Sequence, residues 1–515
     1  MIVVYHKNNR IFKVVSSKNK KVSFDEKTSI AVGLFQLAIQ FPQSLIVWCE
    51  ETCQEYLNLK EIDSLFHHHK IMLSYHQGEV GFLGNIIGYV EQSPFIKINK
   101  KMSYPTWQMS SAVGGVNAEV LLALNNKIPL DRNFDYFLCS LAKLTMSKGL
   151  LCYSEPRLLK QQTASISAKT NPYTLFRFAK QHYKTQWVFL LLLNLFLFER
   201  KVALLPFLFS LFYKNRTKLN INLDKIKVQS SKKVIDKATV DVIIPTIGRK
   251  TYLYDVLKDL KAQTHMPTNV IIVEQNPDKG SESELDYLTN EEWPFAIKHT
   301  FTHQAGACNA RNVALAQISS EWVFFADDDI RIDFDFVQKA LERINQFGAE
   351  AVSFRCFQKG QKQIYAATFQ WASFGSGCSF VLANSLKNCS FNMDYEFGFG
   401  EDSDFGMQLR NLGHDVLYFP EPEILHLKAP IGGFRTKPVL RWHSDSIQPK
   451  PSPTVMLYNL LHYSNEQINS YKTILFFKYY KHQKIKNPIR YYFYLQKQWQ
   501  KSIFWANALQ QEKEV

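Results

Sequence analysis

Apolar and polar positions alternate most regularly between residues 240 and 326. A β-branched run, Val240 to Ile244, is followed by a helical stretch, Leu253 to Gln263, and by a second apolar run, Asn269 to Val273. A further helix near Ala310 to Gln317 precedes the apolar run Trp322 to Ala326. Strands and helices that alternate in this way build a parallel sheet with helices on its faces, and ligands bind beyond the carboxyl ends of the strands. The pattern therefore predicts an α/β domain with a site at that edge.

The first 170 residues carry a weaker copy of the later pattern. The run Leu45 to Trp48 precedes Glu50-Glu51, much as Trp322 to Phe325 precedes three aspartates. Further motifs of the early part have counterparts in the later part, in the same order. Trp107 to Gly115 corresponds to Trp371 to Gly377, Asp131 to Asp394, Glu155-Pro156 to Glu421-Pro422, and Asn171-Pro172 to Ser452-Pro453. The shared order predicts a duplication, although strand–acid and Gly-turn patterns recur in many α/β proteins.

Two short apolar segments, Gln186 to Phe198 and Val202 to Tyr213, flank the charged residues Glu199-Arg200-Lys201. Each segment would extend only about 20 Å as a helix, which is less than the roughly 30 Å hydrocarbon core of a bilayer. The pattern favours two short helices that lie in one leaflet. A helical pair buried against the protein itself is the alternative.

Composition indicates a folded protein with anionic partners. Hydrophobic residues make up 46% of the chain, which excludes a disordered protein, and the formal net charge is +15. In the C-terminal region, basic residues alternate with aromatic ones, and no acid occurs between Glu466 and Glu512. This composition suits an anionic membrane surface and would also suit nucleic acid. The apolar segments favour the membrane, so we expect peripheral membrane contact and no nucleic acid.

The eight cysteines show no paired metal-ligand spacing, and the first residues include no apolar run of signal-peptide length. We therefore expect reduced thiols in a cytoplasmic protein, peripheral on the inner face of the cell membrane.

Three carboxylates, Asp327, Asp328 and Asp329, directly follow the apolar run that ends at Ala326. Carboxylates this close repel one another unless a cation joins them, and Mg²⁺ and Mn²⁺ prefer such oxygen ligands. A solvated acidic turn after the strand is the alternative. The context of the triplet favours the metal site.

A second acidic group, Glu401-Asp402-Ser403-Asp404, opens a predicted helix that runs through Leu412. A general base for a hydroxyl nucleophile would need such a group near the same sheet edge. Acids in the first turn of a helix also stabilise the helix dipole, which is the purely structural interpretation.

His426 follows the predicted strand Val416 to Phe419 and precedes a Gly-Gly loop that carries Lys428 and Arg435. A lone histidine is usually structural. Basic residues in a glycine loop, however, suit closure over a diphosphate.

Together, these motifs resemble those of family 2 glycosyltransferases with the GT-A fold. The resemblance covers residues 240–435 and rests on Val242-Ile243-Ile244-Pro245-Thr246, the helix start Gly306 to Asn312, the Asp triplet, the Glu-Asp-Ser-Asp cluster and the late histidine. It implies a GT-A (Rossmann-like) mixed sheet flanked by helices, preceded by a truncated, degenerate GT-A-like domain and followed by a helical tail. Four parts are expected: a non-catalytic domain (1–170), a membrane-facing apolar segment and linker (171–237), the catalytic domain (238–445) and a basic aromatic helical region (446–515).

The resemblance also implies roles for individual residues. Asp402 would be the catalytic base, and Glu401 would assist or bind the acceptor hydroxyls. The nucleotide-sugar would contact Pro245, Thr246, Arg249, Glu274, Arg311, Asp327, Asp328, Lys428 and Arg435. The family more often shows Asp where Glu274 stands. Asp327 and Asp329 would hold Mn²⁺ or Mg²⁺, with His426 as a further candidate ligand.

The function that this resemblance implies is a metal-dependent, inverting glycosyltransferase. It would move a sugar from a nucleotide-diphosphate donor, most often a UDP-sugar in the family, to a saccharide or lipid-linked saccharide in cell-surface polysaccharide synthesis. The alternative is an inactive nucleotide-binding scaffold of a polysaccharide-assembly complex.

Overall fold

The computed structural model describes residues 1–16, 20–78, 81–161, 171–430 and 439–511. The chain forms two compact units. The first comprises Met1–Lys232 with Ser464–Ile474, and the second comprises Lys233–Tyr463 with Leu475–Val515.

The first unit contains seven strands and seven complete α-helices within its described residues. The strands are β1 Ile2–Lys7, β2 Arg10–Ser16, β3 Leu45–Glu50, β4 Ile71–Tyr75, β5 Tyr104–Pro105, β6 Val113–Asn117 and β7 Leu151–Ser154. The helices are α1 Ile30–Gln40, α2 Ile62–Leu65, α3 Ala118–Leu124, α4 Phe134–Thr145, α5 Pro172–His182, α6 Gln186–Glu199 and α7 Leu204–Ser210.

The second unit continues the numbering. Its strands are β8 Val240–Thr246, β9 Asn269–Gln275, β10 Ala296–Thr302, β11 Trp322–Ala326, β12 Ile330–Arg331, β13 Ala351–Phe357, β14 Phe369–Gln370, β15 Cys378–Leu382 and β16 Val416–His426. Its helices are α8 Lys250–Lys261, α9 Tyr287–Asn290, α10 Ala307–Leu315, α11 Phe336–Phe347, α12 Glu401–Asn411 and α13 Pro453–His462. The C-terminal helices are α14 Asn465–Tyr480, which the two units share, and α15 Pro488–Gln511.

The second unit is built on one mixed sheet with the strand order β10-β9-β8-β11-β15-β13-β16-β12. Strands β8 to β11 pair in parallel, whereas β15 runs antiparallel to both β11 and β13. Strand β11 is buried along its whole length, because helices cover both faces of the sheet. This architecture confirms the predicted α/β fold with a mixed, helix-flanked sheet.

The first unit repeats the central part of that sheet. Its order is β2-β1-β3-β6-β4-β7-β5. Strands β1 and β3 are parallel, β6 is antiparallel to β3 and β4, and β4 and β7 are parallel. The corresponding strands β8, β11, β15, β13 and β16 have the same order and directions. Even the short strands β5 and β14 pair antiparallel with the same neighbour, β7 and β16.

The strand topology also shows where the first copy is truncated. The hairpin strand β2 lies beside β1, at the position that β9 occupies beside β8. Strand β2 is antiparallel, whereas β9 and β10 extend the second sheet in parallel. The predicted degenerate GT-A-like N-terminal region is therefore confirmed, and in the part of it that the structure describes the sheet has no counterparts of the two outer parallel strands β9 and β10.

Helices α5, α6 and α7 contribute side chains to the hydrophobic core of the first unit. Phe176, Leu191 and Phe207 lie in its hydrophobic core. One side of the apolar pair is thus buried against the protein, as the alternative interpretation predicted, while Phe189 and Phe209 on other sides are exposed. Within the described residues, no helix is both long enough and apolar enough to cross a bilayer.

The C-terminal region is helical, as expected, and part of its basic and aromatic content serves packing. Trp505 Nε1 donates to Asp445 Oδ2 at 2.8 Å, and Lys450 Nζ lies 3.3 Å from the centre of the Tyr479 ring. Each of the eight cysteines is a free thiol.

Candidate active site

A cavity of about 550 Å³ opens at the carboxyl ends of β8, β9 and β11. Parallel strands place their carboxyl ends at one sheet edge, where ligands of open α/β sheets bind. Eleven of the residues predicted from the sequence line this cavity: Pro245, Thr246, Arg249, Arg311, Asp327, Asp328, Asp329, Glu401, Asp402, His426 and Lys428. The lining includes six carboxylates but only three basic side chains, two from Arg and one from Lys. This excess of negative charge favours the binding of a cation.

Strand pairing brings Asp329 and His426 together. Strand β12 begins directly after Asp329 and pairs antiparallel with the end of β16, with Ile330 opposite His426. The Leu427 N–H donates to the Asp329 carbonyl at 2.8 Å. As a result His426 Nε2 lies 3.3 Å from Asp329 Oδ1, although the two residues are almost a hundred positions apart in the chain.

Asp327, Asp329 and His426 form a group that fits a divalent cation. One ligand atom from each residue lies within 4.8 Å of the others. The hydrogen bond with Asp329 raises the pKa of His426. Burial disfavours the charged Asp329 carboxylate, but hydrogen bonds from His426 and the Ala429 N–H outweigh burial and lower its pKa. Two carboxylates and an imidazole are ligands that Mn²⁺ accepts.

The middle carboxylate of the triplet, Asp328, is held by the protein instead. Thr246 Oγ1 donates to Asp328 Oδ2 at 2.7 Å, and Arg249 Nη1 donates to Asp328 Oδ1 at 2.6 Å. Burial nevertheless raises the pKa of Asp328 to about 6. Arg249 also reaches Asp329 at 3.3 Å, so the guanidinium ties two acids of the triplet to the end of β8.

Arg311 is the positive charge at the centre of the acidic groups. It is buried on α10, and its Nη2 lies 3.2 Å from Asp327 Oδ1. Burial would lower its pKa, but Asp327, Asp402 and Glu401 together raise it. Arg311 therefore stays charged and offsets part of the repulsion between the triplet and helix α12.

Helix α12 presents Glu401 and Asp402 to the cavity. The helix begins after Gly400, whose φ of +119° few residues other than glycine adopt. Burial raises the pKa of Glu401 to about 7, and burial also raises the pKa of Asp402 against the influence of Arg311 and Ser376. Among the described residues, the buried oxygen Asp402 Oδ1 has no hydrogen-bond partner. A carboxylate with a raised pKa and an unused lone pair suits proton abstraction.

Asp404, in the same turn of α12, faces away from this chemistry. It is buried, and its Oδ1 lies 2.7 Å from His462 Nε2 on α13. Gln408 Nε2 donates to its other oxygen at 2.8 Å. Asp404 therefore joins α12 to α13, which agrees with the structural interpretation of this acid.

Ser376 and Glu396 also line the site, although the sequence motifs did not predict either residue. Ser376 hydrogen-bonds to Asp402 through its side chain and backbone. Glu396 accepts hydrogen bonds from the Cys308 and Asn309 N–H groups, at 3.2 and 2.8 Å, and so caps α10. The only sequence signal for either residue was its position beside a glycine-containing turn.

Of the predicted residues, Glu274 is not brought into the cavity, and one further residue cannot be placed because it lies outside the described ranges. Glu274 is not among the described residues that line it, because its carboxylate accepts from Ser283 Oγ at 2.5 Å and lies 3.0 Å from His299 Nε2. The neighbouring Gln275 lines the cavity instead. Arg435 lies outside the described residues.

The mixed sheet and the acidic cavity at its carboxyl edge define a GT-A type of domain. Residues 241–393 match the family described as Glycosyl transferase family 2, which confirms the predicted family resemblance for this part of the chain. The matched segment contains the Asp triplet and ends before Glu401, Asp402 and His426. No curated protein matches the chain.

Among solved structures, the chain is similar to S. aureus TarS. For TarS 1–349 the identity is 19% and the TM-score 0.31, with 37% of this chain and 60% of that chain covered. For TarS 1–349 in complex with UDP-GlcNAc the identity is 18% and the TM-score 0.35, with 47% and 72% covered. The chain thus spans less than two thirds of the first of these structures.

Proposed function

We propose that the second unit is an inverting glycosyltransferase that uses a nucleotide-diphosphate sugar. The observation that carries the proposal is one cavity that is lined both by Asp402, whose Oδ1 has no hydrogen-bond partner among the described residues, and by the group Asp327, Asp329 and His426. A glycosyl transfer needs both components: a base for the incoming hydroxyl and a positive site for the departing diphosphate.

In the proposed reaction, Asp402 removes the proton from an acceptor hydroxyl. The hydroxyl oxygen forms a new bond to the anomeric carbon from the face opposite the leaving group, so the configuration inverts. The old bond from that carbon to the phosphate oxygen breaks, and its electron pair leaves with the nucleoside diphosphate. Ser376 orients the Asp402 carboxylate through its hydrogen bonds.

The other end of the cavity would bind the donor. A divalent ion held by Asp327, Asp329 and His426 would offset charge on the departing diphosphate. Around that position, Arg249, Arg311 and Lys428 add fixed positive charge that suits phosphate oxygens. Pro245, Thr246 and Asp328 at the ends of β8 and β11 lie on the nucleoside side of the proposed donor site, with Glu274 as a further candidate from the family resemblance. Arg435 remains a candidate contact of the diphosphate.

For the substrates we propose a UDP-sugar as donor and a saccharide or lipid-linked saccharide as acceptor, in cell-surface polysaccharide synthesis. The donor assignment is supported by the family match of residues 241–393. The acceptor assignment, with peripheral action at the inner face of the cell membrane, is supported by the net charge of +15 and by the exposed apolar side chains of α6 and α7.

The first test measures the thermal stability of the full chain with a panel of nucleoside diphosphates, with and without Mn²⁺. We expect one nucleotide to raise the Tm only when Mn²⁺ is present, because the cavity is too acidic to hold a diphosphate without a cation. Asp327→Ala should abolish that shift, which is measured against the Tm of the same variant without ligand, because loss of the carboxylate beside buried Arg311 also lowers that Tm.

The outcome also separates the enzyme from the scaffold. Release of nucleoside diphosphate from the matching sugar donor, in the presence of candidate acceptors, supports the transferase. A nucleotide-dependent Tm shift with no turnover for any donor supports the inactive scaffold. If no nucleotide changes the Tm, the donor site itself is wrong.

A further inference from the structure

Helices α6 and α7 of the first unit expose an apolar surface on the side away from the core. In α6 the buried positions are Val188, Leu191, Asn194 and Leu195, which form one stripe of the helix. A helix on a water-exposed surface would carry polar residues on the opposite stripe. Here the exposed side chains instead include Phe189, Phe196 and Leu197.

Helix α7 continues the same surface. Leu204, Leu205, Leu208 and Phe209 are exposed, and Phe212 just beyond the helix is 86% exposed. Aromatic contacts hold the elements together: the Phe189 and Phe207 rings are 5.0 Å apart, and the Tyr173 and Phe209 rings are 5.9 Å apart. The α6–α7 apolar surface is therefore contiguous, and contiguous apolar patches of this kind mark a binding surface.

Charge decides which partner fits. Exposed basic residues lie before α6, between the helices and after α7: Lys184, Arg200, Lys201, Lys214 and Lys218. The only acid between Glu155 and Asp224 is Glu199, which pairs with Lys201 at 3.2 Å and accepts from Tyr89. An apolar face surrounded by basic side chains is complementary to acyl chains beneath anionic headgroups.

We propose that the α6–α7 apolar surface inserts into one leaflet of an anionic phospholipid membrane. Helix α6 has 14 residues and extends about 21 Å, too short to cross the roughly 30 Å hydrocarbon core. The helices lie in the interface plane, with Leu205, Phe209 and Phe212 among the acyl chains and the lysines at the headgroups. Membrane binding by this surface requires neither the sugar donor nor the catalytic carboxylate. It can therefore be tested independently of the proposed transferase activity.

The test is co-sedimentation of the full chain with vesicles of phosphatidylcholine that contain phosphatidylglycerol, and with vesicles of phosphatidylcholine alone. The wild type should bind the anionic vesicles tightly and the neutral vesicles more weakly. The double variant Leu205→Asp/Phe212→Asp should lose on the order of 100-fold or more in partitioning, because two large apolar side chains no longer enter the leaflet. Both side chains are exposed, at 60% and 86%, so the fold should be kept.

Ile364→Asp is the matched control. Ile364 is 77% exposed and lies in the second unit, so the same change of chemistry should leave vesicle binding unaltered. Lys184→Gln/Lys214→Gln should weaken binding to anionic vesicles roughly 30-fold and leave binding to neutral vesicles unchanged.

Hydrogen exchange locates the contact without substitutions. Vesicles should slow amide exchange across residues 186–213. The proposal is overturned if the wild type binds no vesicles, or if protection falls on α15 and the Asp double variant still binds. It is also overturned if that variant only converts a dimer into a monomer, because the surface would then join two copies of the chain.

Discussion

At the scale of single residues, Asp402 and Asp404 lie two positions apart in the first turn of α12 and have different surroundings. Asp402 lines the cavity, and its Oδ1 has no hydrogen-bond partner within the described ranges, whereas Asp404 lies 2.7 Å from His462 Nε2. Their roles are therefore separable, because one carboxylate has a free lone pair and the other has its partners inside the protein.

We expect Asp402→Asn to lower turnover by roughly 10² to 10⁴-fold, the usual contribution of a general base, and to keep the nucleotide-induced Tm shift. Asp404→Asn should leave turnover of the folded protein nearly unchanged but lower its stability by about 1–3 kcal/mol, since the pairing with buried His462 is weakened. Steady-state kinetics and thermal unfolding of the two variants check this. Equal loss of turnover in both would contradict the assignment of the base.

The pKa of Glu401, raised to about 7 by burial, predicts a pH dependence. Below pH 7 the carboxyl group is neutral, and above pH 7 it is ionised and accepts stronger hydrogen bonds from acceptor hydroxyls. The acceptor KM should therefore rise as the pH falls through about 7, with a smaller change in kcat. In Glu401→Gln the decrease of kcat/KM below about pH 7 should become smaller, because glutamine does not titrate. If the variant keeps the same decrease of kcat/KM, another group is responsible for it.

At the scale of elements, the site depends on how closely β15 approaches the end of β11. A Cβ atom at Gly377 would lie 2.1 Å from Asp327 Oδ2, which no side chain tolerates without movement of that carboxylate. Glycine is therefore needed at position 377 because Asp327, at the end of β11, leaves no room for a Cβ atom, and not because the backbone angles of this residue exclude other side chains.

Gly377→Ala should weaken Mn²⁺ binding roughly 10- to 100-fold, because a displaced ligand disturbs the metal group. The matched control is Gly280→Ala, where the new Cβ would lie 3.7 Å from its nearest neighbour, Asp278 Oδ1. Both variants make the same backbone change, so calorimetric titration with Mn²⁺ isolates the effect of the clash. Equal affinity in both variants would mean that Asp327 does not bind the metal.

At the scale of the whole molecule, the two units are copies with different chemistry. In the first unit Cys49 of β3 lies opposite Val113, the first residue of β6, and in the second unit Ala326 of β11 lies opposite Cys378, the first residue of β15. Cys49 and Ala326 are therefore equivalent, and the next residues, Glu50 and Asp327, occupy the same position. Asp135, second in α4, occupies the position of Asp402, second in α12. Asp135 Oδ1 even accepts from the Ser111 N–H at 2.8 Å, as Asp402 does from Ser376.

Asp135→Asn should leave turnover at the wild-type value, because the described residues of the first unit form no parallel strands that correspond to β9 and β10, and its sequence has no Asp triplet. The amide oxygen of Asn can still accept from Ser111, so the stability should change by less than about 1 kcal/mol. Kinetics measured beside Asp402→Asn check the contrast. A large loss of turnover in Asp135→Asn would show that the first unit takes part in catalysis.

Local patterns in the sequence were sufficient to predict the main strands and helices of this protein and the edge of the sheet where the acidic residues lie. Continuous apolar runs such as Trp322 to Ala326 identify buried parallel strands, and the acids that follow them must lie at the carboxyl edge of the sheet. For the same reason, the order of strand, acid and Gly-turn features was enough to predict the duplication. These properties are local, since they depend on periodicity and chain order.

The pairings between distant segments depend on tertiary packing and could not be predicted from local patterns. Strand β12 against β16 joins Asp329 to His426, and helix packing turns Asp402 toward the cavity and Asp404 toward His462. The packing of α6 on the first unit likewise decided which of its apolar side chains are buried and which are exposed. An almost uniformly apolar helix carries no periodic signal for its orientation, so its exposed face is set by the core it packs against.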